Sequence, residues 1–326
     1  MLIIAAGILV ALVLVALAAA GFLVLKTRAI ARAAEKAVPP CGRFVEVGGN
    51  RIHYVEEGEG RPILFIHGLG GTLHHFRQPL FGGRLAGFRL IALDRPGAGY
   101  STRAPGATAR LPEQAETIAG FIDRLGLDRP LVVGHSLGGM VALTLALDHP
   151  DKISGLVLLS ALTAHREDVP PELAPIYITS PLKRRLLAHT LAIPTALKLA
   201  PQTLAYVFGP QQPPQDYMTE GGGQLGLRPG QWYAMVSDLV AVAGDMKALT
   251  ARFGEIDMPA AMLFGTADRV LDHRENGIAF RDHVKGLDFE TIDGVGHHPQ
   301  YGATDRVVEL IRRTAARADE NISGRR

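Results

Sequence analysis

Hydrophobic positions fall along this chain in three regimes, and each predicts a different kind of structure. From Leu2 to Leu25 no charged residue interrupts a run rich in Leu, Val, Ala and Ile. As a helix rising about 1.5 Å per residue, that run would extend roughly 36 Å, enough to cross a bilayer core with some tilt. From Arg43 onward the pattern breaks into short elements. Arg43 to Val47 and Arg51 to Glu56 alternate around Gly48-Gly49-Asn50, which predicts an antiparallel hairpin. Continuous apolar runs follow at Pro62 to His67, Arg89 to Leu93, Leu131 to Gly134, Ile153 to Leu159, Ala260 to Phe264 and Phe289 to Ile292. Runs of this length suit strands buried on both faces.

Helical spacing separates several of these runs, as at Glu113 to Leu125, where Ala115, Ile118, Ala119, Ile122 and Leu125 share a face, and at Leu137 to Leu147. Strands alternating with helices predict an α/β fold with a mostly parallel sheet covered on both faces. The third regime, Ala161 to Arg252, has several prolines, short helical patterns and no convincing strand. Lying between two sheet strands, it predicts an inserted helical cap. The expected organisation is a transmembrane anchor over 1–25, a juxtamembrane helix or linker over 26–42, a core built from 43–160 and 253–318, a cap over 161–252 and a flexible tail over 319–326.

Composition narrows the function. With 47% apolar residues in 326 the chain is that of a folded protein, and a formal net charge of +2 without a central basic stripe gives nucleic acid no footprint. Cys41 is the single cysteine, so no intrachain disulfide forms. Ala18-Ala19-Ala20 offers a cleavage site for a signal peptide, which would make the protein secreted or periplasmic. The start lacks a basic segment, however, and the run is long, so a retained anchor is the preferred reading. Lys26, Arg28, Arg32 and Lys36 then favour a cytoplasmic globular part.

Chemistry concentrates around Gly134-His135-Ser136-Leu137-Gly138. The apolar strand Leu131 to Val133 runs into it and a helix leaves it, the arrangement that exposes a serine on a sharp, strained turn. A side chain at Gly134 or Gly138 would collide where strand and helix approach. A serine hydroxyl needs a base to take its proton, and the base needs a carboxylate. Asp268, in Gly265-Thr266-Ala267-Asp268, and His297, in Gly294-Val295-Gly296-His297, both follow predicted strands, at the sheet edge where open α/β folds place their sites. Asp272 and Asp293 are rival carboxylates, and His298 is the rival base. His135, His149, His165 and His273 are expected on the surface or in packing. A His74-His75 metal site lacks further ligands at sensible spacing. The backbone N–H groups of Leu69, in His67-Gly68-Leu69-Gly70-Gly71, and of Leu137 are the expected oxyanion donors, with His67 a structural hydrogen-bonding residue.

These motifs, together with Asp94-Arg95-Pro96-Gly97-Ala98-Gly99-Tyr100-Ser101, resemble the α/β-hydrolase superfamily over residues 43 to 318. The N-terminal anchor, the cap and the spacing of the triad are similar to membrane-anchored monoacylglycerol lipases and bacterial carboxylesterases. The resemblance implies a serine hydrolase that cleaves small lipophilic esters and needs no metal or organic cofactor. Epoxide hydrolases and haloalkane dehalogenases carry an aspartate where Ser136 stands. Carbon–carbon bond, amide, thioester or lactone hydrolysis by the same triad is the alternative, and a non-catalytic binding module is the second.

Overall fold

The computed structural model describes residues 2–324. An eight-stranded sheet runs through the core in the order β1-β2-β4-β3-β5-β6-β7-β8. Strands β1 (Arg43–Val47) and β2 (Asn50–Glu57) form an antiparallel hairpin, and β2 is antiparallel to β4 (Phe88–Leu93). From β4 through β3 (Arg61–Ile66), β5 (Leu131–His135), β6 (Gly155–Leu159), β7 (Ala260–Gly265) and β8 (Asp288–Ile292) every pairing is parallel. Residues of β5, β6 and β7 are buried without exception, as expected of strands covered on both faces, whereas the edge strand β8 is largely half-buried.

Two apolar cores flank the sheet. On one face Leu64, Ile91, Val132, Leu158 and Met262 pack with α3 (Leu111–Arg124) and α4 (Leu137–Asp148). On the other, Phe65, Val133, Val157 and Leu263 meet α2 (His74–Leu80) and a long C-terminal helix through Phe76, Leu80, Leu310 and Ile311. Helix α4 is apolar on all sides because it sits between the sheet and α3, and only its last residue, Asp148, escapes burial.

Between β6 and β7 the chain forms α5 (Pro181–His189), α6 (Ala192–Phe208) and α7 (Pro229–Thr250). Short helices α8 (Ala279–Arg281) and α9 (Pro299–Gly302) precede and follow β8, and α10 (Thr304–Gly324) closes the chain. Helical structure thus continues past residue 318, where the core was expected to give way to a flexible tail. Arg317 donates to the Ala260 carbonyl, and Arg61 pairs with Asp319, which holds that part of α10 against the sheet; Arg325 and Arg326 lie outside the described residues.

At the other end α1 spans Leu2–Ala37 without a break. It is long and apolar enough to cross a membrane, and its apolar part is exposed from Ile3 through Phe22. Its polar half packs on the cap. Ala34 is buried among Ala188, Ile193, Leu227 and Trp232, Glu35 pairs with Arg228 at 2.8 Å, and the Thr27 hydroxyl donates to the Thr190 carbonyl at 2.9 Å.

Candidate active site

Ser136 occupies the turn between β5 and α4 with φ 53° and ψ −122°. A positive φ is strained for a residue with a side chain, at a cost of about 1–3 kcal/mol, and persists only when its surroundings fix it. Here the Ser136 N–H donates to the Leu159 carbonyl at 3.0 Å, and its own carbonyl accepts from Gly139 at 2.9 Å and Leu162 at 3.0 Å. The approach of helix and strand is so close that a Cβ on Gly138 would lie 2.1 Å from the Ile66 carbonyl oxygen. Because Leu137 is the first residue of α4, its amide has no intrahelical acceptor and is free to donate outward.

His297 and Asp268 come together although 29 residues separate them: Nδ1 of His297 lies 2.8 Å from Oδ2 of Asp268, and both side chains are buried. The other carboxylate oxygen accepts from the amides of Val270 at 2.8 Å and Leu271 at 3.0 Å, so Asp268 is fixed at both ends. With Nδ1–H donating to the carboxylate, Nε2 of His297 keeps its lone pair and is a base. The loop bearing His297 is tied to the residue before Ser136, since His135 Nε2 donates to the His297 carbonyl at 2.8 Å. The rivals are engaged elsewhere. Asp272 accepts from Arg274, Asp293 from Thr266, and His298 Nδ1 contacts Gln300 at 3.1 Å.

The loop of residues 67–71 is held from beneath and from above. Arg95, fully buried, donates through Nε to the His67 carbonyl at 2.9 Å and through Nη2 to the Gly68 carbonyl at 3.0 Å. Its charge is met by Asp238 of α7, 2.7 Å away, which also takes Arg103 at 2.8 Å. Gln231, also on α7, donates to the carbonyls of Gly70 at 2.9 Å and Gly71 at 3.0 Å and accepts from the Gly99 amide at 2.5 Å. Neither Gln231 nor Asp238 was singled out from sequence; the signal available was a lone acid in the apolar stretch Trp232 to Val242. Asp94, first of the Asp-Arg-Pro-Gly turn, accepts from Leu73 at 2.8 Å, from Tyr100 at 2.9 Å and from His53 at 2.7 Å. Burial alone would raise its pKa, but the hydrogen bonds from His53 and from the Leu73 amide outweigh burial and lower it.

The histidine content reads differently in three dimensions. His75, which linear spacing left without partners, meets His135 and His298, with ring nitrogens all within 4.8 Å of one another, so these are the residues whose spacing suits a divalent ion. Packing and hydrogen bonds hold the rings in place, while Nδ1 of His75 and Nδ1 of His135 are buried without a hydrogen-bond partner. His298 stacks on Phe208 at 4.5 Å and on His135 at 4.8 Å, with rings 21° and 27° from parallel, which sets their in-plane lone pairs side by side rather than converging. His75 Nε2 is spent on the Tyr217 hydroxyl at 2.9 Å.

Burial keeps these rings neutral. It drives the pKa of His75 to about 4 and, with the Arg95 charge, that of His67 to about 3; His135 and His298 are also pushed well below the ordinary value by burial and neighbouring rings. Unfolded histidines titrate near 6.5. The folded values being lower, the unfolded state takes up protons first, so the contribution is complete above about pH 6.5 and is lost as pH falls from there toward the folded values. The slope is about 1.4 kcal/mol per pH unit for each histidine. Chemical denaturation at pH 7.5, 6 and 5 should show stability dropping steeply across that window; a flat profile would contradict buried neutral rings.

Comparison with known proteins gives a consistent picture of the fold and a mixed one of chemistry. The α/β-hydrolase fold family matches residues 61–184. Haloalkane dehalogenase 2 of Mycobacterium tuberculosis is 38% identical over 116 residues, 36% of this chain and 40% of the dehalogenase, so this chain spans well under half the length of that relative. A 2-hydroxy-6-oxononadienedioate/2-hydroxy-6-oxononatrienedioate hydrolase of Burkholderia vietnamiensis is 28% identical over 272 residues, 81% of this chain and 91% of the relative. Among solved structures, a membrane phospholipase A described as a bacterial virulence factor superimposes with a TM-score of 0.64 at 24% identity, covering 96% of this chain and 98% of its own.

Proposed function

This chain belongs to the α/β-hydrolase superfamily, and we propose that within it the chain is a serine hydrolase that cleaves lipophilic carboxylic esters, of the monoacylglycerol lipase or carboxylesterase type, through an acyl-enzyme on Ser136. The observation that carries this reading is the pairing of His297 with a buried Asp268, which leaves Nε2 as a base in the loop tied to the strained elbow. His297 takes the Ser136 proton as Oγ attacks the ester carbonyl carbon, and the carbonyl π pair moves to oxygen. The amides of Leu69 and Leu137 bind that oxyanion. On its collapse the carbon–oxygen bond breaks and the alcohol leaves with the proton from His297. Water, deprotonated by the same imidazole, then attacks the acyl-enzyme and returns Ser136 to its hydroxyl form. Asp268 holds the ring and stabilises its cationic state. An aspartate nucleophile of the dehalogenase kind has no counterpart at the elbow, where this chain has Ser136.

In the same reading α1 is a retained membrane anchor. Its exposed apolar length supports this, and the likeness to the membrane phospholipase covers too much of the chain to omit α1 altogether. Full-length protein in detergent, labelled with a fluorophosphonate probe and assayed on an ester and lipid panel, tests the proposal. Labelling at Ser136 with turnover of medium-chain glycerol esters is expected. The alignment with the dienedioate hydrolase over most of this chain favours one second reading, carbon–carbon bond hydrolysis of a vinylogous diketone. Turnover of such a diketone with none of esters would select it.

A further inference from the structure

The cap carries a surface that the proposed chemistry does not use. Leu182 and Leu186 of α5 are 78% and 62% exposed, Leu191 between α5 and α6 is 51% exposed, and Leu197 and Leu199 continue the exposure along α6 at 45% each. Leu182 and Leu186 lie one turn apart on the same face of α5, and apolar surface this exposed marks a contact surface. Charge sharpens the picture. From residue 173 to residue 215 there is no Asp or Glu, whereas Lys183, Arg184, Arg185 and Lys198 are present; likewise no acid precedes Glu35.

The position of this surface is set by α1. The hydrogen bond from Thr27 to the Thr190 carbonyl joins the end of α5 to a point two residues beyond Leu25, where the apolar run stops. Leu23 and Val24, in the last turn of that run, are already half-buried, so the globular part reaches the level of the span. Leu186 and Leu191 bracket Thr190 and therefore lie at that level too. The far end of α6 belongs to the catalytic loops. The Tyr206 hydroxyl donates to the Arg269 carbonyl at 2.6 Å, and Gly296 packs against the Gly209 carbonyl.

We propose that α5 and the start of α6 dock into the bilayer that α1 spans, with Leu182, Leu186 and Leu191 in the upper acyl layer and Lys183, Arg185 and Lys198 on anionic headgroups. Ester substrate then reaches Ser136 along α6 directly from the lipid. This rests on α1 being a retained span, as in the reading above. Amphipathic surfaces of this composition partition at the headgroup boundary, and attraction to anionic lipid adds to the buried apolar area.

Full-length protein reconstituted into phosphatidylcholine vesicles with and without phosphatidylglycerol tests it. A fluorophore that brightens in apolar surroundings, placed at Leu186→Cys in a Cys41→Ser background, is expected to be quenched by spin labels on the acyl chains, more strongly with phosphatidylglycerol. The same label at Glu59→Cys should stay quenchable only from water. Leu182→Ser/Leu186→Ser/Leu191→Ser should lower turnover of a bilayer-resident ester tenfold or more while a soluble short-chain ester changes less than twofold. A label at 186 open to aqueous quencher overturns the proposal, as does one shielded from lipid by a second copy of the chain. If wild type hydrolyses neither ester, the hydrolase reading fails, while label depth still decides docking.

Discussion

Ser136→Ala is expected to lower kcat by about a thousandfold or more on any ester the wild type accepts, with fluorophosphonate labelling abolished. The fold should be indifferent to the change. Strain at this position lies in the backbone, at φ 53°, and alanine inherits it unaltered. The hydrogen bonds that fix the turn run through the backbone N–H and carbonyl of residue 136, so the substitution leaves them intact. Unfolding midpoints of the two proteins should therefore agree, and residual activity within tenfold of wild type would remove Ser136 as the nucleophile.

Asp238→Ala should have the largest effect on stability, a loss of about 3–5 kcal/mol in chemical denaturation, because it strands a buried cation. Arg95 has no exposed surface, and Asp238 is its one carboxylate partner among the described ion pairs. Gln114 and the carbonyls of His67 and Gly68 satisfy its donors but do not neutralise it. Replacing both members, as Arg95→Met with Asp238→Leu, should recover part of the loss, since the fully buried charge of Arg95 is then gone and only the less deeply buried Arg103 is left without its carboxylate. Activity should not recover with stability, because the carbonyls of residues 67 and 68 lose the donors that aim the loop. A single mutant as stable as wild type would mean that water reaches Arg95 and the pair is not sealed.

Why some of this was legible in the sequence and some was not follows from where each constraint acts. The elbow is local: glycines at 134 and 138 answer a steric demand within five residues, so the motif shows on its own. Asp268 and His297 were reachable because each follows a strand of the sheet, and neighbouring parallel strands bring their ends to one edge. The Arg95–Asp238 pair joins residues 143 apart on an inserted cap helix, and no periodicity links them. His75, His135 and His298 come from three separate elements, so only the fold could bring their rings together. For 26–37 the signal was present but faint. Thr27, Ile30 and Ala34 recur at helical spacing and form the stripe that packs on the cap, yet the surrounding charges gave the segment the look of a linker.

Gln231, clasping Gly70, Gly71 and Gly99 with one side-chain amide, divides the cap into parts with different freedom to diverge. Helix α7 is riveted to the catalytic loops and must travel with them. The stretch 173–199, attached to α1, is the replaceable part, whereas the end of α6 and Gln211 hold the Arg269 carbonyl and the Gly294–Gly296 turn and must stay with α7. Chimeras that exchange 173–199 while keeping 200–250 are thus the natural route to new substrate preferences on this scaffold, and cap grafts that cut through α7 would dismantle the site they were meant to redirect.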